Sequence, residues 1–335
     1  MKRYPIQIAD IATFDNLLLA TWKAARGKRQ RPDVVDFLIN INESLYTLHE
    51  NIMQEKVPCG IYNSFYINDP KRRLIHAACF AERVLHHAIM NQAEWVFERL
   101  LIADTYACRL NKGVHKAVSQ VQKNMQRFCW FVKVDVKSYF PSINHQVLVE
   151  LLCKRFKGDD FLRLLQRIID SYHATPDKGL PIGSLTSQHF ANFYLNGADR
   201  FLQQHPLVNA QVRYMDDTIW WCHDKASAKQ VLTELQDYLT TYLELQLKST
   251  IQINRSHRGV SYCGYRILPG TIRLSPRKKK RYQQLRKQCE YAWQNGTIST
   301  LQLQSAYDSV HAITLHADSI TWRKRNLQLH PSSFI

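Results

Sequence analysis

Three aspartates carry the chemistry this sequence offers. Asp135 closes the alternating run Phe131-Val132-Lys133-Val134-Asp135-Val136, which reads as a strand. Asp216-Asp217 sits in the middle of the β-rich stretch Val212 to Cys222, which reads as a hairpin with acids at its tip. Carboxylates brought together from adjacent strands can hold hard divalent ions such as Mg²⁺. A pair of such ions serves nucleotidyl transfer, one activating a 3′-hydroxyl and the other steadying the leaving pyrophosphate. Adjacent acids in a turn are also a common solvated hairpin tip, and spacing alone leaves both readings open.

Composition narrows the field. The chain has 335 residues, with Lys plus Arg at 45 and Asp plus Glu at 28, a formal charge of +17. Hydrophobic residues make up 45%, enough for folded lobes and against wholesale disorder. The length suits two or three lobes. No apolar run reaches the roughly 18–20 residues that span a bilayer, and no signal-peptide core follows Met1. None of the eight cysteines forms a CxxC pair, so they read as reduced thiols in cytoplasm. The histidines show no HxxxH or HExxH zinc spacing. Such a basic surplus attracts polyanions, nucleic acid before membrane.

Stepping along the chain gives an α+β order. Helices are expected over 14–26, from Pro32 to about Glu50, and over 81–97. Ile61 to Ile67 and Leu74-Ile75 flank a turn at Asn68-Asp69-Pro70. A helix is expected over 144–156. Asp224 can cap another to about Leu243, and Pro269-Gly270 joins two strands. Ser275 caps a helix with Pro276 in its first turn and Gly296 past its end, and Ser299 caps one more to about His316. The helix after Ser275 opens with Arg277, Lys278, Lys279, Lys280 and Arg281, and Arg286 and Lys287 follow with no acid between. Cations there oppose the helix dipole, so phosphate binding explains them better than local stability does. Gly27-Lys28-Arg29-Gln30-Arg31 is a second basic loop that can touch RNA.

The residues around the acids carry a resemblance. Tyr214-Met215-Asp216-Asp217 is the YMDD form of the reverse transcriptase signature. The run from Phe131 to Ile143 resembles the first palm motif of that family, and Gly179 to Gln188 the second. Leu245-Gln246-Leu247-Lys248 resembles the fourth, and Tyr262-Cys263-Gly264-Tyr265-Arg266 the primer-grip turn. Upstream, the runs 69–75, 82–88 and 106–113 resemble fingers blocks of bacterial and group II intron-like enzymes. The resemblance spans about residues 14–330. It implies a right-hand polymerase fold: N-terminal helices and fingers over 1–130, an antiparallel palm over 131–268 with fingers elements around 150–180, and a helical thumb over 269–335.

It also implies roles. Asp135, Asp216 and Asp217 are the expected catalytic metal ligands, with the Val136 carbonyl beside them and Asp217 closer to a supporting part. Two Mg²⁺ ions are implied, with Mn²⁺ as a substitute. Lys71 and Arg73 are expected on the triphosphate, and Phe140 beneath the incoming sugar, where it excludes a 2′-hydroxyl. Gly183 permits close backbone approach to the nascent base pair. Lys248 is either a proton donor to the leaving pyrophosphate or a solvated strand-end lysine. Arg277, Lys278, Lys279, Lys280 and Arg281 are expected on the template–primer duplex, with Gly264 and Tyr265 at the primer.

The second palm block narrows the resemblance. Most reverse transcriptases carry Gln before its glycine; here Ile182 stands there, and the block ends Thr186-Ser187-Gln188. This is similar to the enzymes of diversity-generating retroelements, which copy a template-repeat RNA into cDNA with errors at adenines (mutagenic retrohoming). Ile182 lacks the amide that could hydrogen-bond a base edge, which points to loosened nucleotide selection. Implied partners are the element's structured RNA, the RNA–cDNA duplex, dNTPs and a small basic accessory protein oligomer, with no membrane, in the cytoplasm of a bacterial or phage-bearing host. With fingers, palm and thumb assigned over the 335 residues, no RNase H or endonuclease domain is expected among them. The rival readings are a phage-defence, retron or CRISPR-associated reverse transcriptase, an RNA-dependent RNA polymerase, which Phe140 opposes, and a non-catalytic RNA-binding protein on a polymerase scaffold.

Overall fold

A computed structural model describes residues 2–68 and 72–331. Its centre is a four-stranded antiparallel sheet. In spatial order the strands are Ala210–Tyr214, Asp217–Cys222, Trp130–Asp135 and Gln252–Arg255. The register places Asp135 opposite Asp217 and Tyr214 opposite Asp217.

Both faces of the sheet are buried, and side-chain alternation divides them. Val132, Val134, Trp220 and Cys222 join the larger core, built with the N-terminal helices and the long helix Phe80–Leu100. Phe131, Ile219 and Trp221 join a second core with helix Val114–Arg127 and the strands Val260–Tyr262 and Tyr265–Leu268. Trp220 and Trp221 are adjacent yet fully buried on opposite faces. Burying side chains of this size contributes about 2–3 kcal/mol each, so the sheet is fixed in place from both sides.

The hairpin Tyr62–Ile67 with Arg73–Ala78 stands apart as a two-stranded ribbon. The strands 260–262, 265–268 and 271–274 form a third sheet, from which the chain enters helices Pro276–Gln294, Thr300–Ala312 and Ile320–Leu329. The expected caps are present. Asp224, Ser275 and Ser299 each accept a hydrogen bond from a backbone N–H three residues on, and Ser299 with Gln302 completes a capping box.

Several boundaries differ from the sequence expectation. The helix expected from Pro32 to Glu50 is two, Pro32–Ile39 and Ile41–Met53, broken at Asn40 (φ −104°, ψ 39°). The helix expected to reach Phe156 ends at Cys153, because Phe156-Lys157 pairs in parallel with Tyr4-Pro5. The helix after Ser299 ends at Ala312, four residues short, and tight turns lead to Ser319. Among the described residues no helix is long and apolar enough to cross a membrane.

Candidate active site

The hairpin turn carries Met215 in the left-handed region (φ 56°), and Asp216 follows it in the turn. A buried arginine sets this tip. The Arg213 guanidinium donates to both oxygens of Asp199 at 2.7 and 2.6 Å, to the Asn192 side chain at 2.9 Å, and to the Met215 carbonyl at 2.7 Å. Arg213 and Asp199 are each 2% exposed. The fork satisfies the buried carboxylate bidentately and ties the backbone next to Asp216 to helix Asn196–Gln204. Sequence reading passed over Arg213 and Asp199. The available signal was an arginine within a β-rich run, which needs an acid if its side chain is buried.

Asp135 and Asp217 are both held by lysines. Lys248 Nζ lies 2.5 Å from Asp135 Oδ1, and Lys133 Nζ lies 3.2 Å from Asp217 Oδ2. Lys248 arrives because its segment is stitched to the end of the Asp135 strand: Lys248 N–H donates to the Asp135 carbonyl at 2.9 Å, and Lys137 N–H to the Gln246 carbonyl at 2.8 Å. Val136 bridges Leu247 in the same place. Lys248 is therefore a partner of Asp135 rather than a solvated strand-end lysine.

Burial and the nearby Asp135 carboxylate push Asp216 up to about 6. Burial, opposed by Lys133, pushes Asp217 up to about 7. Carboxylates crowded at low polarity resist ionisation until positive charge arrives. Asp217 Oδ1 is buried with no hydrogen-bond partner, and the convergent donors are all oxygens. Among the described residues no three His, Cys, Asp or Glu side chains are drawn together as a metal-ligating group, since Asp135 and Asp217 turn onto their lysines. The oxygen donors and the orphaned atom nonetheless suit hard divalent cations.

Other expected residues fall in two places around these acids. Phe140 is half-buried against the larger core, and its carbonyl accepts from Leu180 N–H at 3.0 Å, which joins the first and second palm blocks. Ile182 and Gly183 lie on a turn against the fingers ribbon, where the Ile182 carbonyl accepts from His76 N–H at 3.0 Å. Gly183 has φ 118°, and a Cβ there would sit 3.0 Å from Ile75 Cγ2, so glycine allows this close approach. Arg73 is exposed at the start of the ribbon's second strand. Lys71 lies outside the described residues. Arg72 stacks on Tyr66, 3.9 Å from the ring centre.

The basic strip divides. Arg277, Lys280 and Arg281 are exposed. Lys278 instead packs over Tyr265 at 3.6 Å from the ring centre, and burial lowers it to about 8. Lys279 is half-buried and lies 5.5 Å from the Trp322 ring centre. Arg286, 2% exposed, pairs with Glu290 at 3.2 Å and takes no place in a phosphate-binding strip. Gly264, at φ 78°, makes room for Lys278, whose Cε would lie 2.9 Å from a Cβ there. Periodicity explains the division: a long helix of a packed lobe must turn one face inward whatever its charge.

A hairpin carrying adjacent acids beside a strand that ends in a third, in a sheet sandwiched between two cores and with a separate β-ribbon set against the Ile182–Gly183 turn, defines a right-hand polymerase fold. The family model described as "Reverse transcriptase (RNA-dependent DNA polymerase)" matches residues 68–267, and the chain belongs to that family. It is 25% identical over 144 residues to the group II intron-encoded protein LtrA of Lactococcus lactis subsp. cremoris, covering 41% of this chain and 24% of LtrA. Protein YkfC of Escherichia coli is 21% identical over 299 residues, covering 76% of this chain and 73% of YkfC. An uncharacterized 91 kDa protein in the cob intron of Schizosaccharomyces pombe is 28% identical over 180 residues, which is 51% of this chain and 21% of that protein. The chain thus aligns with about a fifth to a quarter of the S. pombe protein and LtrA. A solved structure of telomerase from Candida tropicalis, in complex with a TWJ fragment of telomeric RNA, shares the fold at TM-score 0.50 and 11% identity, covering 81% of this chain and 55% of that one.

Proposed function

We propose that this chain is an RNA-directed DNA polymerase that copies a structured template-repeat RNA into error-prone cDNA for retroelement-driven diversification. The single observation that carries the polymerase reading is the pairing of Asp135 with Asp217 across the two central strands, next to Asp216 in the hairpin turn, with Asp217 Oδ1 buried and unpartnered. Asp135 and Asp216 would hold two Mg²⁺ ions, or Mn²⁺ in their place, with Asp217 and the Val136 carbonyl in support. Bound metal supplies charge neutralisation for the 3′-oxygen and the leaving pyrophosphate.

The chain's own residues do the rest. Arg213 fixes the backbone that presents Asp216. Lys248, at 2.5 Å from Asp135, is placed to swing to the pyrophosphate as a proton donor once that carboxylate is otherwise engaged. Phe140 lies beneath the incoming sugar and excludes a 2′-hydroxyl, which favours dNTPs over ribonucleotides. Arg73, at the start of the ribbon's second strand, grips the triphosphate, and Lys71 joins it by the family resemblance. Arg277, Lys280 and Arg281 meet the phosphates of the RNA–cDNA duplex, while Lys278 shapes the primer-grip turn through Tyr265, with Lys279 beside it. The lobes run as fingers (1–130), palm (131–268) and thumb (269–335).

Support for the diversification role is the block Ile182-Gly183-Ser184-Leu185-Thr186-Ser187-Gln188, with Ile182 where an amide would otherwise order the nascent pair. The reading carries two further partners, the element's RNA and a small basic accessory protein oligomer, and places the reaction in the cytoplasm. The test is to incubate the purified protein with its cognate RNA, with and without small proteins encoded beside it, and to sequence the cDNA. Errors concentrated at template adenines support the role. Accurate cDNA under both conditions leaves a reverse transcriptase of another purpose, such as defence.

A further inference from the structure

Helix Phe80–Leu100 carries two ionisable groups that the chemistry above does not use. Glu82 and His86 are 0% and 1% exposed, one turn apart, with His86 Nε2 at 3.6 Å from Glu82 Oε1. His86 Nδ1 reaches across to Ser184 Oγ at 3.1 Å, and Ser184 Oγ lies 3.0 Å from Thr186 Oγ1. Ser184 is the N-cap residue of helix Leu185–Tyr194, with extended backbone (φ −82°, ψ 142°), yet its hydroxyl makes no capping bond. A serine cap ordinarily accepts from a free backbone N–H of the first turn. Here the hydroxyl is spent on a partner in another element. One hydrogen-bond chain runs through the hydroxyls, with Thr186 donating to Ser184 and Ser184 donating to His86 Nδ1, while His86 Nε2 faces Glu82 without a hydrogen bond. Burial lowers His86 to about 3, so the ring stays neutral and keeps Nδ1 as an acceptor.

A second tether grips the same turn from its other side. His76 N–H donates to the Ile182 carbonyl at 3.0 Å. The His76 ring is itself fixed by Ser64 Oγ at 2.9 Å and Tyr172 OH at 3.1 Å. Between the two tethers lies Gly183, against Ile75 and the His76 carbonyl. The turn is thus clamped to the fingers before and after its glycine.

We propose that His86 and Ser184 are positioning residues that lock the Ile182–Gly183 turn to the fingers and so set how strictly the incoming nucleotide is selected. This rests on the reading of that turn as the surface beneath the nascent base pair. Neither side chain touches the substrate; both act through the backbone that does.

The side-chain geometry offers a clean separation. An asparagine amide overlies Nδ1 of histidine, and a glutamine amide overlies Nε2. His86→Asn therefore keeps a partner for Ser184, whereas His86→Gln turns its amide toward Glu82 and drops the tether. Single-nucleotide primer extension by the full chain on template RNA, with correct and mismatched dNTPs, reads the effect, and thermal melting confirms the fold. The proposal expects His86→Gln and Ser184→Ala each to raise KM for the correct dNTP about three- to tenfold, the loss of one buried hydrogen bond, with kcat kept within about twofold. The mismatch-to-correct ratio should change alongside, and His86→Asn should stay near wild type. Unchanged KM and mismatch ratio in both tether variants would overturn it, as would Asn and Gln variants that lose KM, kcat and melting temperature together. If His86→Gln does not fold, Ser184→Ala, which removes one oxygen, decides alone. Wild-type protein without polymerisation, or Asp216→Asn with it, strikes the polymerase reading instead.

Discussion

Arg213 donates to the Met215 carbonyl at 2.7 Å while its other nitrogens hold Asp199 at 2.7 and 2.6 Å. The hairpin that carries Asp216 and Asp217 is therefore anchored from beneath by a buried ion pair, and stability and positioning meet in one side chain. Removing one partner of such a pair costs about 3–5 kcal/mol, because the other charge is left buried alone. Asp199→Asn and Arg213→Met should each lose about that much in urea unfolding. The double change Arg213→Met/Asp199→Leu should regain most of the stability. It should not regain activity, since the Met215 carbonyl still lacks its donor. Full recovery of primer extension in the double variant would show that the anchor serves folding alone.

Glu82 gives stability a pH signature. Burial raises its carboxyl from 4.5 to about 7. The fold thus favours the protonated form, so its contribution is present below pH 4.5 and is lost as pH rises through 7. The span corresponds to about 3 kcal/mol. Neighbouring His86 runs the other way, because burial lowers it and stability falls as pH drops below 6.5. Wild type alone therefore shows a blunted profile, and the comparison with Glu82→Gln isolates the acid. The stability of Glu82→Gln relative to wild type should grow between pH 4.5 and 7 in denaturant titrations. A constant difference across that range would mean that Glu82 ionises freely.

Exposed and packed cations of the basic strip should separate by salt dependence. Lys280 is exposed, whereas Lys278 lies on Tyr265. Lys280→Gln should reduce the slope of log affinity against log salt for an RNA–DNA duplex by about one unit, as expected for one lost phosphate contact. Lys278→Gln should leave the slope nearly unchanged and lower the melting temperature. Equal slopes for both variants would place Lys278 on the phosphates after all.

Ile182 is the simplest handle on fidelity. Ile182→Gln restores an amide at the turn clamped by His76 and should lower misincorporation opposite template adenine several-fold, with little change at other template bases. Cyclic extension followed by cDNA sequencing measures it. The same error rate at adenine in both proteins would remove Ile182 from nucleotide selection.

The acids were legible in the sequence because their signal is local. Asp135 sits at the end of an alternating strand and Asp216-Asp217 at a hairpin, and the structure pairs Asp135 directly with Asp217. Caps at Asp224, Ser275 and Ser299 were legible for the same reason, each needing only three or four consecutive residues. What escaped was the long-range chemistry. Ser184 looks like a helix cap and is instead a partner of His86. Arg286 looks like a phosphate contact and instead pairs with Glu290 in the core of its lobe. Asp199 looks like a surface acid on a polar helix and holds Arg213. Charge and periodicity tell which residues are polar, but not which polar groups are drawn inward to meet across elements.

The polymerase reading stands or falls on Asp216. Primer extension on an RNA template with dNTPs and Mg²⁺ should proceed with wild-type protein and fall by more than about a hundredfold in Asp216→Asn, several kcal/mol of lost charge stabilisation. The variant should keep the wild-type melting temperature or exceed it, because the substitution removes a carboxylate that burial holds at about 6. Undiminished cDNA synthesis by folded Asp216→Asn would contradict the assignment.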